Sequence, residues 1–213
     1  MQTRKGQSIE DESMEIIERE IGPHPYTGHE WQIVRRIIHS TADFDFAEKE
    51  KITFNGDVFS SAFGAIKNGC YVVCDVEMVL SGINKQLALE LNLKTLCRIS
   101  EDSVKKYSRD NNLTRSQVAM DMSTSQIQNG IVVIGNAPTA LFQVISMFRE
   151  KRVKPALVIG IPVGFISALE SKKELLRTPV PSISNIGRKG GSSAASSIIN
   201  ALMLIYKTRM HQN

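Results

Sequence analysis

Cysteine is scarce in this sequence, and long apolar runs are absent. The chain of 213 residues has three cysteines, Cys70, Cys74 and Cys97, and no CxxC pair. This usage argues against a disulfide framework and against a zinc knuckle, and it favours a reducing compartment. The longest weakly polar run, residues 155–169, is interrupted by two glycines and a proline, so it is too short and broken to cross a bilayer. We therefore expect no membrane partner.

A dense block of one charge is also lacking. The 26 basic and 22 acidic residues leave a net charge of +4 and alternate along the chain. So weak an excess argues against nucleic acid as a partner, but it is compatible with a polyanionic small molecule. The first 20 residues are polar, unlike a signal peptide, so we expect a cytoplasmic protein. With 42% hydrophobic and 23% charged residues, the composition fits one compact domain over residues 1–213.

Short apolar runs alternate with amphipathic stretches along most of the chain. The runs occupy residues 71–75, 95–99, 130–135, 156–162 and 180–185. Helical periodicity is clearest over residues 9–21, 28–41 and 192–208. Strands that are apolar throughout and alternate with helices predict an α/β fold, in which a mostly parallel sheet of about five strands is covered on both faces.

Two loops of this predicted fold resemble anion sites. "GNAPTALF" (135–142) and "GRKGGSSAA" (187–195) each follow a strand and lead into a helix. Ligands of such sheets bind beyond the carboxyl ends of the strands, where helix N-termini expose N–H groups. Both loops are therefore expected to bind carboxylate or phosphate. Neither matches a nucleotide-binding fingerprint at its required spacing.

His39 lies near the end of the predicted helix 28–41 and points away from its apolar face by roughly 150°, at about 100° per residue. A histidine at a helix C-terminus is commonly a capping or solvated group. It is also the commonest general acid or base near neutral pH. A third interpretation is a metal-dependent hydrolase that uses His39, Asp43 and Asp45. The spacing of the other histidines does not favour metal.

Four further polar residues are candidates for anion binding. Thr114 and Arg115 stand near the start of a helical stretch, where an arginine is favoured only if it has an anionic partner. Arg188 and Lys189 lie among glycines beside backbone donors, a combination that suits an anion better than either feature alone. The alternative in both places is a surface turn with solvated charges.

Four sequence blocks, in order along the chain, carry a resemblance to a known family. They are "IIHSTADFDFA", "GNAPTALF", "GIPVGFISALESK" and "GRKGGSSAASSIINAL". Together they resemble the precorrin-8 methylmutase family of corrin-ring biosynthesis, from about Ser8 to the final helix. One departure is Ser40, since the family usually has threonine after its histidine.

The resemblance implies an isomerase that moves a methyl group between adjacent carbons of a macrocycle. It would convert precorrin-8 to hydrogenobyrinate, or cobalt-precorrin-8 to cobyrinate. It further implies a flavodoxin-like three-layer αβα fold and a homodimer, with no cofactor and no protein-bound metal. The main alternative is a protein that carries a corrinoid without transforming it.

The resemblance also assigns roles to residues. The catalytic histidine falls on His39, which would donate a proton to the conjugated ring, after which the methyl group migrates and the proton returns. The substrate contacts fall on Ser13, Arg36, Thr114, Arg115, Arg188, Lys189, Gly190, Gly191 and Ser192. No metal ligand is implied.

Overall fold

The computed structural model describes residues 3–48 and 51–210. Its strands are β1 (Ile52–Asn55), β2 (Tyr71–Cys74), β3 (Lys94–Leu96), β4 (Ile131–Ile134), β5 (Leu157–Gly160) and β6 (Ser182–Asn185). Its helices are α1 (Arg4–Ile21), α2 (Gly28–Thr41), α3 (Val58–Lys67), α4 (Glu77–Gly82), α5 (Lys85–Glu90), α6 (Asp102–Asp110), α7 (Arg115–Asp121), α8 (Thr124–Ile127), α9 (Pro138–Arg149), α10 (Ala168–Leu176) and α11 (Ser192–Met210). A short 3-10 turn spans Phe44–Phe46.

The strands form one sheet in the order β1-β6-β5-β4-β2-β3. All neighbours are parallel except β1, which pairs antiparallel with β6. If β2 is counted as the first strand and β1 is set aside, the order is 2-1-3-4-5, the flavodoxin-like order. The predicted α/β class and mostly parallel sheet are confirmed. The antiparallel edge strand β1 is an addition that the sequence analysis did not identify.

Both faces of the sheet are covered by helices. In β4, Val133 packs in the core that contains Ile37 of α2 and Ile199 of α11. Its neighbour Val132 packs in a second core with Leu141 of α9. Successive residues of a strand point to opposite faces, and both faces here are buried, so the strand is apolar throughout. Three layers result, as expected.

Helix α2 buries the face that the periodicity predicts and leaves its other face in solvent. The buried side chains are Trp31, Ile33, Val34, Ile37 and Ile38, whereas His39 is exposed. A capping box of Thr27 and Glu30 begins the helix. It ends at Ala42, which adopts φ 52° and donates its N–H to the carbonyl of Ile38. His39 therefore lies in the last turn of α2.

The first helix is longer than the sequence pattern predicts. It begins at Arg4 rather than residue 9, because the hydroxyl of Thr3 accepts a hydrogen bond from the N–H of Gly6 and caps the first turn of the helix. The last helix begins at Ser192 as expected and continues to Met210. Within the described residues, no helix combines the length and the apolar character needed to span a membrane.

Candidate active site

Loops from the carboxyl ends of three adjacent strands are bonded to one another and form a rim. Val163, after β5, donates its N–H to the carbonyl of Gly135, after β4, at 3.3 Å. Gly191, after β6, donates its N–H to the carbonyl of Ile161 at 3.0 Å. These bonds run between loops, so the rim has a defined backbone conformation.

Two glycines of the rim are required by close packing. A Cβ atom at Gly190 would lie 2.2 Å from the carbonyl oxygen of Ile161, and the residue has φ +153°. A Cβ atom at Gly135 would lie 2.8 Å from Cα of Ser192. Both distances are shorter than any side chain tolerates, so backbone alone forms this part of the rim.

The end of α2 adjoins the loop that follows β6. The hydroxyl of Ser193, in the first turn of α11, donates a hydrogen bond to the carbonyl of Ser40 at 3.0 Å. His39, next to Ser40, is exposed at this point. The segment Gly187–Ser192 is called the glycine loop below. The structure thus brings His39 and the glycine loop, which are distant in sequence, to the same side of the sheet, where the carboxyl ends of the strands lie.

Lys189 connects the glycine loop to the chain that follows α2. Its Nζ lies 2.8 Å from Oδ2 of Asp43 and 2.6 Å from Oδ2 of Asp45. Hydrogen bonds to Asp43 and then to Asp45 raise the pKa of Lys189 above its ordinary value. The lysine ammonium group thus already compensates the two carboxylates that the hydrolase interpretation assigns to a metal. In the part of the chain that is described, no group of three His, Cys, Asp or Glu is arranged to hold a metal ion.

Arg188 faces solvent beside an apolar surface. Its guanidinium carbon lies 5.7 Å from the ring centroid of Phe165, a cation–π arrangement. Phe165 and Ile166 are each 86% exposed, which is unusual for side chains of this size. The rim therefore offers a cation and an apolar surface side by side.

Arg36 and Ser13 have partners within the chain. Nη2 of Arg36 lies 2.7 Å from Oε1 of Glu10, which joins α2 to α1. The hydroxyl of Ser13 donates to the carbonyl of Ile9, one turn earlier in α1. A ligand carboxylate that binds Arg36 must therefore compete with Glu10.

Thr114 and Arg115 lie where α7 begins. The hydroxyl of Thr114 accepts a hydrogen bond from the N–H of Gln117 and caps the helix, while Arg115 is exposed. The same hydroxyl donates to Thr139 at 3.0 Å, in the first turn of α9. Because α9 follows β4, Thr114 also lies at the carboxyl edge of the sheet, on the face opposite α2.

The loop after β4 already holds an anion, the side chain of Asp75. This carboxylate accepts hydrogen bonds from the N–H groups of Gly135, Asn136 and Ala137 at 3.1, 2.8 and 2.7 Å. Asp75 is fully buried, and burial raises its pKa, although the three N–H groups offset part of that increase. The expectation that "GNAPTALF" binds an external carboxylate or phosphate is wrong, because a residue about 60 positions earlier occupies its donors.

Two buried polar residues beneath the glycine loop were not identified from the sequence. Nζ of Lys172, in α10, lies 2.9 Å from Oδ1 of Asn185 and 2.7 Å from the carbonyl oxygen of Lys189. Nδ2 of Asn185 donates to the same carbonyl at 3.0 Å. Lys172 lies within the "GIPVGFISALESK" block, but helical periodicity alone does not distinguish a buried lysine from a surface one.

Comparison with known proteins is consistent across sequence and structure. The family model described as precorrin-8X methylmutase matches residues 8–205. A protein of Leptospira interrogans named cobalt-precorrin-8 methylmutase is 42% identical over 97% of this chain and 97% of its own. One of Priestia megaterium with the same name is 42% identical over 95% of this chain and 89% of its own.

A solved structure supports the same relationship. The precorrin-8x methyl mutase of Thermus thermophilus superposes with a TM-score of 0.88 at 33% identity, and the match covers 96% of this chain and 98% of that one. Sequence and fold agree over nearly the whole length, and the chain belongs to the precorrin-8X methylmutase family.

Proposed function

We propose that this chain is a cobalt-precorrin-8 methylmutase, an isomerase that moves a methyl group between adjacent carbons of the macrocycle. The observation that carries the proposal is the juxtaposition of an exposed histidine, His39, with the glycine loop in a chain of this family. The reaction breaks one carbon–methyl bond and forms another in the same molecule. The rearrangement is redox-neutral, so it consumes no oxidant or reductant.

His39 acts as the general acid in this proposal. It donates a proton to the conjugated ring, the methyl group migrates, and the proton returns to the imidazole. A positioned general acid accelerates a reaction by about 10²- to 10⁴-fold. Because His39 lies in the last turn of a helix whose other face is buried, its backbone position is fixed.

The rim suits a flat ring that carries carboxylates. Arg188 and the N–H group of Gly190 supply donors for the carboxylates, and Phe165 supplies apolar surface for the ring. The N–H of Gly191 is already donated to the carbonyl of Ile161. Ser13, Arg36, Thr114 and Arg115 are proposed as further contacts. Lys189 contributes by holding the loop, since its ammonium group is engaged by Asp43 and Asp45.

The names of the relatives favour the cobalt-loaded substrate. Two relatives at 42% identity are named cobalt-precorrin-8 methylmutase, whereas one from Sinorhizobium sp at 32% identity is named precorrin-8X methylmutase. We expect a higher kcat/KM for cobalt-precorrin-8 than for the metal-free form. Equal values for the two forms would contradict this preference.

The test is the absorption spectrum of the substrate with time. Substrate and product have the same mass, but migration of the methyl group changes the conjugation of the ring and therefore its colour. We expect His39→Ala to lower kcat by about 10²-fold or more while product still binds. Gln32→Ala, an exposed change on the same helix, is the matched control. Near-normal turnover by His39→Ala would remove this histidine from the chemistry.

The same experiment separates the enzyme from a carrier. Binding of the macrocycle by the wild-type protein without any spectral change favours a protein that carries a corrinoid without transforming it. Addition of a chelator tests the metal-dependent alternative, and we expect no loss of turnover.

We also propose that the chain acts as a homodimer in the cytoplasm. The support is the family resemblance and the three cysteines, which are free thiols. Light scattering of the purified protein checks the oligomeric state, and a mass equal to one chain at micromolar concentration would contradict it.

A further inference from the structure

A lysine is fully buried directly beneath the glycine loop. Lys172 has no exposed surface, and its ammonium group lies 2.7 Å from the carbonyl oxygen of Lys189 and 2.9 Å from Oδ1 of Asn185. Lysine is almost never fully buried unless it is paired, because desolvation of the charge is expensive. The hydrogen bonds of this ammonium group are therefore a feature that needs explanation.

The contact determines which way one peptide group of the loop faces. The described chain contains no cis peptide bond, so the carbonyl of Lys189 and the N–H of Gly190 point in opposite directions. Because the carbonyl points inward to Lys172, the N–H of Gly190 points to the opposite side of the loop. Gly190 has no side chain that could cover this N–H group. None can be accommodated there, because a Cβ atom would lie 2.2 Å from the carbonyl oxygen of Ile161.

The loop is held from both helical layers. Lys172 belongs to α10, which packs on the same face of the sheet as α9. The side chain of Lys189 reaches the opposite layer, where Asp43 and Asp45 follow α2. One residue is thus fixed through its backbone on one side and through its side chain on the other. Donors that are oriented before a ligand arrives bind it without a cost of ordering.

We propose that Lys172 is a positioning residue for the substrate: its buried ammonium group fixes the Lys189–Gly190 peptide so that the Gly190 N–H and the adjacent Arg188 meet a substrate carboxylate. The inference rests on the proposed function, since it specifies how that site recognises its anionic ligand. Lys172 touches no reacting atom and acts through the loop.

An ammonium group suits this task because it has three donors and no acceptor. It can bond the carbonyl of Lys189 and the side chain of Asn185 together, which an apolar side chain cannot do. Lys172→Met retains the length of the side chain and removes these donors. Lys173→Met removes the neighbouring charge, which is exposed on the same helix, and is the matched control.

The first measurement is the affinity for hydrogenobyrinate, the metal-free product, together with steady-state kinetics. We expect Lys172→Met to raise the Kd and the KM about tenfold or more, because an oriented donor to a carboxylate is lost. We expect kcat to change by less than about threefold, since the loss affects ground state and transition state alike. Lys173→Met should match the wild type. Unchanged Kd and KM, or a fall in kcat alone, would overturn the proposal.

The second measurement uses the wild-type protein and does not depend on the folding of a variant. In the ¹⁵N–¹H spectrum, the Gly190 amide should shift when hydrogenobyrinate is added. An unchanged Gly190 amide under saturating ligand overturns the proposal, and so does a wild-type protein that binds no hydrogenobyrinate. If Lys172→Met unfolds, an unchanged Gly190 amide in this spectrum still overturns the proposal.

The outcomes separate this proposal from the proposed function. Turnover of precorrin-8 with normal KM in Lys172→Met leaves the methylmutase intact and removes the role of Lys172. Binding that weakens in Lys172→Met, without turnover by the wild type, retains the positioning role and removes the catalytic assignment.

Discussion

The carboxylate of Asp75 should be essential to the loop that follows β4. Asp75→Asn keeps the size of the side chain but presents one acceptor oxygen instead of two. In the wild type, the N–H of Gly135 donates to Oδ1 at 3.1 Å, whereas those of Asn136 and Ala137 donate to Oδ2. If the remaining oxygen of the asparagine accepts from Asn136 and Ala137, its NH₂ group faces the N–H of Gly135. Two hydrogen-bond donors would then face each other at a fully buried site.

The magnitude follows from the number of unsatisfied donors. A buried donor without a partner costs about 1 to 3 kcal/mol, so two of them, partly relieved by relaxation, should lower the free energy of unfolding by about 2 to 4 kcal/mol. Equilibrium unfolding in urea at pH 7, followed by circular dichroism, measures this difference. Asp110→Asn makes the same chemical change at an exposed site and should stay within about 0.5 kcal/mol of the wild type.

A specific result would refute the reasoning about Asp75. If Asp75→Asn unfolds at the same urea concentration and with the same slope as the wild type, the carboxylate does not hold the loop. A large loss in Asp110→Asn would show instead that the assay reports a general effect of removing charge.

Two other predictions concern the rim and the thiols. Gly190→Ala should lower the free energy of unfolding by at least about 1 to 3 kcal/mol, because φ of +153° strains the backbone of a residue with a side chain. The added Cβ would also lie 2.2 Å from the carbonyl oxygen of Ile161, which adds to this cost. Urea unfolding measures the loss, and a neutral result would contradict the close packing. Burial raises the pKa of Cys70 to about 11 and that of Cys97 to about 12, and Cys74 is fully buried. At pH 8 the folded protein should therefore react with iodoacetamide at least about a hundredfold more slowly than a free thiol, because the thiolate is the reactive form. Rapid labelling would be inconsistent with this burial.

Periodicity and strand composition predict most of the fold. The central strands β2, β4 and β5 are largely apolar segments that are buried on both faces, and this pattern is visible in the sequence alone. Strand β6 is fully buried but has the polar sequence SISN, and β3 is an exposed edge strand. Strand β1 escaped prediction because it has four residues, only one of them buried, and lies at the edge of the sheet. The earlier start of α1 depends on a hydrogen bond from the N–H of Gly6 to the hydroxyl of Thr3 that helical periodicity does not encode.

The site was predicted less completely than the fold, for a physical reason. Local pattern indicates that a loop exposes N–H groups but not whether a distant side chain already binds them. Asp75 binds the loop after β4 across about 60 residues, and Asp43 binds Lys189 across 146. The position of His39 off the apolar face was predictable, because it depends only on its own helix.

The two edges of the sheet constrain how the protein can associate with a second copy. At one edge β1 has four residues, and at the other β3 has three and carries the exposed Lys94, whose ammonium group lies over the ring of Tyr71. Short edge strands are poor templates for the addition of another strand, and a lysine on β3 weakens that edge further. We therefore expect any dimer to form through helices or rim loops; an interface at the rim loops would contribute to the shape of the substrate site.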